Sequence, residues 1–183
     1  GVAYTPSGTP LAAASCARPG VAGIFARSGN TWAAAGPAVP GGQPVQVLRL
    51  VGTSTGDVAL LQAGTGGAAT LFAAWTSDGT RWTVSPPLPA GSQVVRASGT
   101  GPAGAVWVLL ADGRAETVAA SGAAWRELPA PPAGTAALAA MPGGSFDALV
   151  TSAGKLTVYQ LGAAGAWART QAISVPIAYG SSG

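Results

Sequence analysis

Short apolar runs of about four to seven residues, broken by Gly, Pro, Ser or Asp, fill most of the chain. VLRLVG, GDVALLQ and ATLFAAW precede Trp82. VVRASG, GAVWVLL and AETVAAS precede Trp125. ALAAMPG, GSFDALV and LTVYQLG precede Trp167. Runs of this length, alternating or wholly apolar and bounded by turn formers, predict β-strands. Ala-rich stretches such as AGTAALAA favour helix on propensity. Gly and Pro bracket them too closely for one, and no 3.6-residue periodicity supports it.

The runs recur in phase with a tryptophan. SGNTW, SDGTRW, SGAAW and GAAGAW end at Trp32, Trp82, Trp125 and Trp167, at intervals of about 42 to 50 residues. Pro-rich exits follow the first three: AAAGPAVPGG, TVSPPLPAG and RELPAPPAG. The fourth, ARTQAISVP, is degenerate but still reaches a Pro. Proline cannot donate to a ladder, so PPLP and PAPP predict connections between sheets. Three strands, a Trp-bearing strand and a proline loop make the unit of a β-propeller. The prediction is an all-β propeller of about four blades, four antiparallel strands each, as one domain over residues 1–183.

The ends extend the pattern. VPIAYGSSG matches a first strand such as VVRASGTG, and GVAYTPSG reads as the second strand of that same unit, followed by an insertion. Strands from both termini would then share one blade and close the ring without an open edge. Two other arrangements fit the same pattern: a piece excised from a larger propeller, and two chains completing an eight-bladed ring.

Composition narrows the function. Hydrophobic residues make up 48% and charged residues 8%, with 28 Gly and 15 Pro; a disordered chain is poorer in apolar residues and richer in charge. The net charge is +3, but the basic residues are scattered singly, which argues against nucleic acid as a partner. The absence of His removes the commonest general base and metal ligand. Cys16 is the only cysteine, so neither an intrachain disulfide nor a Cys-rich metal site is expected. No cofactor is expected either. No apolar run reaches the roughly 20 residues of a membrane span. LAAASC before Cys16 has the outline of a lipid-attachment signal, with Ala13 where Leu belongs. A small buried thiol is the favoured reading of Cys16 and a lipid anchor the other.

The turn TSDGTRW carries a family likeness. Thr76, Asp78, Gly79 and Trp82 resemble the Asp-box, or BNR-repeat, turn of propellers in the superfamily that includes sialidases. One residue between Asp and Gly is missing, and the other three turns lack the Asp. The resemblance implies that this motif lies on the blade periphery and serves structure. A short Asp accepts hydrogen bonds from nearby backbone N–H groups, Gly supplies a positive φ, and Trp buries a large face between sheets. The resemblance also implies a secreted or cell-surface bacterial protein of actinobacterial type. The excess of Arg over Lys agrees with a GC-rich source.

Chemistry is harder to find. Sialidases use a Tyr–Glu pair, an Asp and an arginine triad. Tyr4, Tyr159 and Tyr179 are present, but no Glu stands at a recognisable blade position beside them. No catalytic residue is assigned. Arg49 and Arg96 each precede by three residues the Gly that ends a first strand. At equivalent positions of adjacent blades they would converge at the channel and clamp a carboxylate or sulfate. Trp75, outside the repeated position, is a candidate face for a sugar or a partner protein and equally a packing residue. Trp107, mid-strand, reads as core. The expected function is a non-catalytic, extracytoplasmic binding or scaffold module for a glycan or protein on a loop face. The alternatives are a degenerate sialidase-like glycoside hydrolase and a structural accessory subunit.

Overall fold

The computed structural model describes residues 1–91, 93–152 and 154–174. They form four antiparallel sheets that follow one another along the chain. Blade 1 comprises β1 (Val2–Tyr4), β2 (Pro10–Ala13), β3 (Ile24–Ser28) and β4 (Thr31–Ala34). Blade 2 comprises β5 (Val45–Thr53), β6 (Gly56–Ala63), β7 (Ala69–Thr76) and β8 (Thr83–Val84), with β9 (Leu88–Gly91) pairing on the other end of β7. Blade 3 comprises β10 (Val95–Thr100), β11 (Val106–Leu110), β12 (Ala115–Val118) and β13 (Arg126–Glu127). Blade 4 comprises β14 (Thr135–Ala140), β15 (Phe146–Ser152), β16 (Lys155–Leu161) and β17 (Trp167–Ser174). Within each blade the four main strands pair in chain order.

Three apolar seams join the blades. Leu11 and Ile24 of blade 1 meet Ala59, Leu61 and Phe72 of blade 2. On the opposite face of blade 2, Leu60, Leu71 and Trp75 meet Val106, Val108 and Leu110 of blade 3. Trp107 and Leu109 then meet Leu138, Phe146 and Ala148 of blade 4. Successive residues of a strand point to opposite faces, so β11 and the VALL centre of β6, covered on both faces, read as apolar runs. Each Leu buried this way contributes about 1.5–3 kcal/mol. Trp107 lies over Gly99, where an added Cβ would come 2.5 Å from the ring. That glycine is required by the close approach of the indole.

The repeated tryptophans tie each blade to the one before it. The indole N–H of Trp82 donates to the Ala35 carbonyl at 2.7 Å. Trp125 donates to Pro86 at 3.0 Å, and Trp167 to Pro129 at 3.0 Å. The acceptor in each case lies in the exit of the preceding blade, and each ring packs against the seam between the two blades. Trp32 stands at the same position of blade 1, and 48% of it is exposed.

Three expectations need correction. GVAYTPSG supplies the first strand of blade 1, not a second strand: Val2–Tyr4 pairs with Pro10–Ala13. The stretch taken for an insertion contains that second strand, which has only four residues and opens on Pro, so the apolar pattern underplays it. The exit of blade 2 is not purely a connection. Leu88–Gly91 adds an edge strand with Pro89 opposite Thr70, a place where proline is tolerated. The degenerate fourth exit continues as strand β17 as far as Ser174.

The closing strand expected from residues 177–180 lies outside the described residues. Among the described residues no apolar cluster joins blade 4 to blade 1, and Val2, Tyr4 and Trp32 of blade 1 stay exposed. What is seen is a four-blade arc.

Candidate functional site

The TSDGTRW turn folds around its carboxylate. Asp78 Oδ1 accepts from the backbone N–H groups of Thr80 and Arg81, both at 2.8 Å. It also accepts from the hydroxyls of Thr80 at 3.0 Å and Thr76 at 3.2 Å. The two backbone donors, from Arg81 and Thr80, hold the Asp78 carboxyl well below the usual carboxylate range. Gly79, at φ +78°, donates its N–H to Thr76 Oγ1 at 2.9 Å. A Cβ at Gly79 would press on Thr5 and Leu11 of blade 1. Thr76, Asp78, Gly79 and Trp82 thus form one structural unit, and Asp78 has little accepting capacity left for chemistry.

The same turn forms one wall of a cleft of about 370 Å³. Thr53 and Thr55, at the β5–β6 tip, and Ser77, Asp78 and Arg81 line it from blade 2. Ala103 and Gly104 line it from blade 3. The Arg81 side chain is 93% exposed and reaches Asp78 Oδ2 at 3.3 Å. Ala103 has φ +55°, the sole positive φ outside glycine among the described residues. Strained backbone of this kind costs on the order of 1–3 kcal/mol and gathers at ligand clamps and switch regions. The cleft is therefore polar, rimmed by hydroxyls and the exposed Arg81 guanidinium paired with Asp78, and backed by fixed main chain.

Trp75 lines the floor of this cleft but is buried. Its indole N–H donates to the Gly104 carbonyl at 2.6 Å, which fastens the strained turn to blade 2. It packs rather than offering an open ring face.

Arg49 and Arg96 are not brought together. A bulge interrupts the first strand of blades 2 and 3: Arg49 pairs with Leu60, just after the bulge, whereas Arg96 is the bulged residue itself. A one-residue difference in register turns a side chain to the opposite face. Arg49 donates to the Ser98 carbonyl of blade 3. Arg96 lines a different cavity, of about 430 Å³, with Asp112, Arg114, Glu127 and the proline loop 130–134. There Asp112 accepts from Arg114 Nε at 2.8 Å and from its backbone N–H at 2.9 Å, and these bonds keep its carboxyl low. Glu116, opposite Glu127 across β12 and β13, is pushed up by burial and then by the Glu127 charge.

Asp57 stands beside a turn glycine, where the sequence suggests only an ordinary turn or edge role. It is 1% exposed, and neither carboxylate oxygen has a hydrogen-bond partner. By strand alternation it shares the face of Ala59 and Leu61, and its Oδ1 lies beside Gly52, next to the Tyr4 main chain. It therefore sits in the seam between blades 1 and 2. Burial pushes its carboxyl up to about 6. Cys16 is a half-buried free thiol between β2 and β3. Among the described residues no group of three or more acidic, Cys or His side chains is placed to hold a metal, and no helix is long and apolar enough to cross a membrane.

Successive four-stranded antiparallel sheets, packed face to face through tryptophan-latched seams, define the β-propeller fold. No protein-family model matches the chain, and no curated protein sequence matches it significantly. Among solved structures, the chain is similar to a protein from Lactobacillus plantarum, with TM-score 0.59 and 12% identity, covering 98% of this chain and 57% of that one. It is also similar to YCF48 bound to a D1 peptide, with TM-score 0.56 and 13% identity, over 94% of this chain and 52% of that one. A fungal lectin from Aleuria aurantia, a six-bladed β-propeller, matches at TM-score 0.41 and 11% identity, over 97% of this chain and 80% of that one. The chain thus spans little more than half the length of the first two structures.

Proposed function

We propose that the chain is a non-catalytic binding module that takes a glycan or a peptide segment of a partner protein in the cleft between blades 2 and 3. The observation that carries this reading is the wall of hydroxyls from Thr53, Thr55 and Ser77 facing the strained Ala103 turn. Hydroxyls and an exposed guanidinium suit a polar, hydroxyl-rich or carboxylate-bearing ligand. Within this proposal the protein acts outside the cytoplasm, is secreted or held at a bacterial cell surface, and is related to the Asp-box propellers. The four-fold bonded Asp78 turn supports that kinship.

A glycan array followed by calorimetric titration of the hits tests the proposal, with peptide-library panning as its second arm. Arg81→Ala and Thr55→Val should weaken binding about tenfold or more while leaving the melting temperature unchanged. If neither arm yields a ligand sensitive to these two changes, the cleft is not the site.

A second reading, a sialidase-like glycoside hydrolase, draws on Asp112 and Glu127 bordering one cavity. Two carboxyls across one bond are what hydrolysis needs. Turnover of aryl glycosides that Glu127→Gln abolishes would establish it.

A further inference from the structure

The two ends of the arc are opposite halves of the interface that the chain builds three times within itself. On blade 1, cross-strand register puts Val2, Ala12, Phe25 and Ala34 on one face, and alternation adds Tyr4 and Trp32. Val2, Tyr4 and Trp32 are exposed there. This is the face on which blades 2, 3 and 4 each carry their latched indole. On blade 4, the face turned away from blade 3 carries Leu149, Leu156 and Val158 by the same alternation, with Ile173 opposite Leu156 and 43% exposed. The latch acceptors Ala35, Pro86 and Pro129 stand three or four residues after their own blade's Trp. The matching positions of blade 4 are Thr170 and Gln171, on its exposed outermost strand.

We propose that a second copy of this chain fills both faces, head to tail. Trp32 of one chain latches onto the β17 region of the other, as Trp82 latches onto Ala35. Three features select this occupant over a face-to-face pairing of two Trp32 surfaces. The internal seams are all heterologous, Trp face on exit face. Both halves of that seam are present, one at each end. The first two solved structures that match nearly all of this chain are about twice its length, so two arcs supply a comparable set of blades. A head-to-tail contact closes into a ring when its rotation allows. A contiguous apolar face with an exposed Trp and Tyr is what an interface core requires.

Sedimentation velocity over a concentration series tests the proposal on the chain itself. The expected result is a reversible species of about twice 17.6 kDa. Trp32→Ala and Ile173→Asp should each weaken its formation about tenfold or more, and Trp32→Phe less. Both residues are exposed, so circular dichroism and the melt of the dilute protein should stay unchanged; that control separates lost association from lost folding. Mixing the two variants should restore part of the association, because one of the two seams is then intact. A monomer at every concentration overturns the proposal, as does a dimer indifferent to Trp32→Ala. A dimer sensitive to Trp32→Ala but indifferent to Ile173→Asp overturns the head-to-tail arrangement.

Discussion

Trp82 and Trp32 occupy the same place in the repeat and meet different fates. Trp82 is half-buried against blade 1 and bonded to Ala35; Trp32 ends a similar Gly turn and is 48% exposed. Their turns also differ: Asp78 gathers four hydrogen bonds in one, while SGNTW has no carboxylate. Local sequence therefore sets the hairpin, but only a preceding blade sets the burial. A blade's contribution to stability lies in its seam more than in its own sheet, since isolated hairpins are marginal.

The sharpest way to break this comparison is to truncate both rings. Trp82→Ala should cost about 3 kcal/mol in denaturant unfolding, from lost burial and an orphaned carbonyl. Trp32→Ala should leave the dilute chain within about 0.5 kcal/mol of wild type. Equal losses would mean that Trp32 has a partner within the arc. Asp57 probes the same seam by charge. Its carboxyl, pushed up to about 6, keeps its proton in the folded chain where the unfolded chain has lost it. Stability therefore falls as pH rises from about 4 to about 6, by on the order of 1–3 kcal/mol. Asp57→Asn should flatten that slope and raise the midpoint at pH 7, as followed by urea titration across pH. A smaller effect isolates the latch from its burial. Trp125→Phe keeps most of the ring and removes one of the two donors to the Pro86 carbonyl, the Ser85 hydroxyl remaining at 2.8 Å, and should cost about 0.5–1 kcal/mol. The mildest test contrasts the turns. The depressed Asp78 carboxyl favours folding above about pH 4, and that advantage fades as pH falls below it. Asp78→Asn should remove this acid sensitivity and lower the melting temperature slightly, whereas Asn30→Ala in the carboxylate-free turn should do neither.

The Trp–Gly turns made the blades legible because a large ring after a tight turn has few other uses in a β-protein. The four-strand unit is readable for that reason, and buried Trp107 is readable from its place in the middle of an apolar strand. β1 and β2 were misread because VAY and PLAA are too short to show alternation. Arg49 and Arg96 look equivalent because sequence spacing is blind to a bulge: the unpaired residue is Leu48 in β5, just before Arg49, but Arg96 itself in β10. The cleft was invisible for a different cause. Thr55 and Ser77 come from two different hairpin tips of blade 2 and Ala103 from blade 3; only the packing of blade 3 on blade 2 brings them to one wall.

Two of the three latches end on a proline carbonyl. Proline fixes its own φ, which removes one of the two rotations that set the direction of the acceptor, and each indole needs only its predecessor's exit. Coupling confined to neighbours makes stability nearly a sum over units and seams. Under that rule a gene segment encoding one blade can be duplicated or deleted in frame, and the new junction inherits a working latch from the parts already present. Ring size then becomes something lineages can vary by copying, with no seam having to be invented anew.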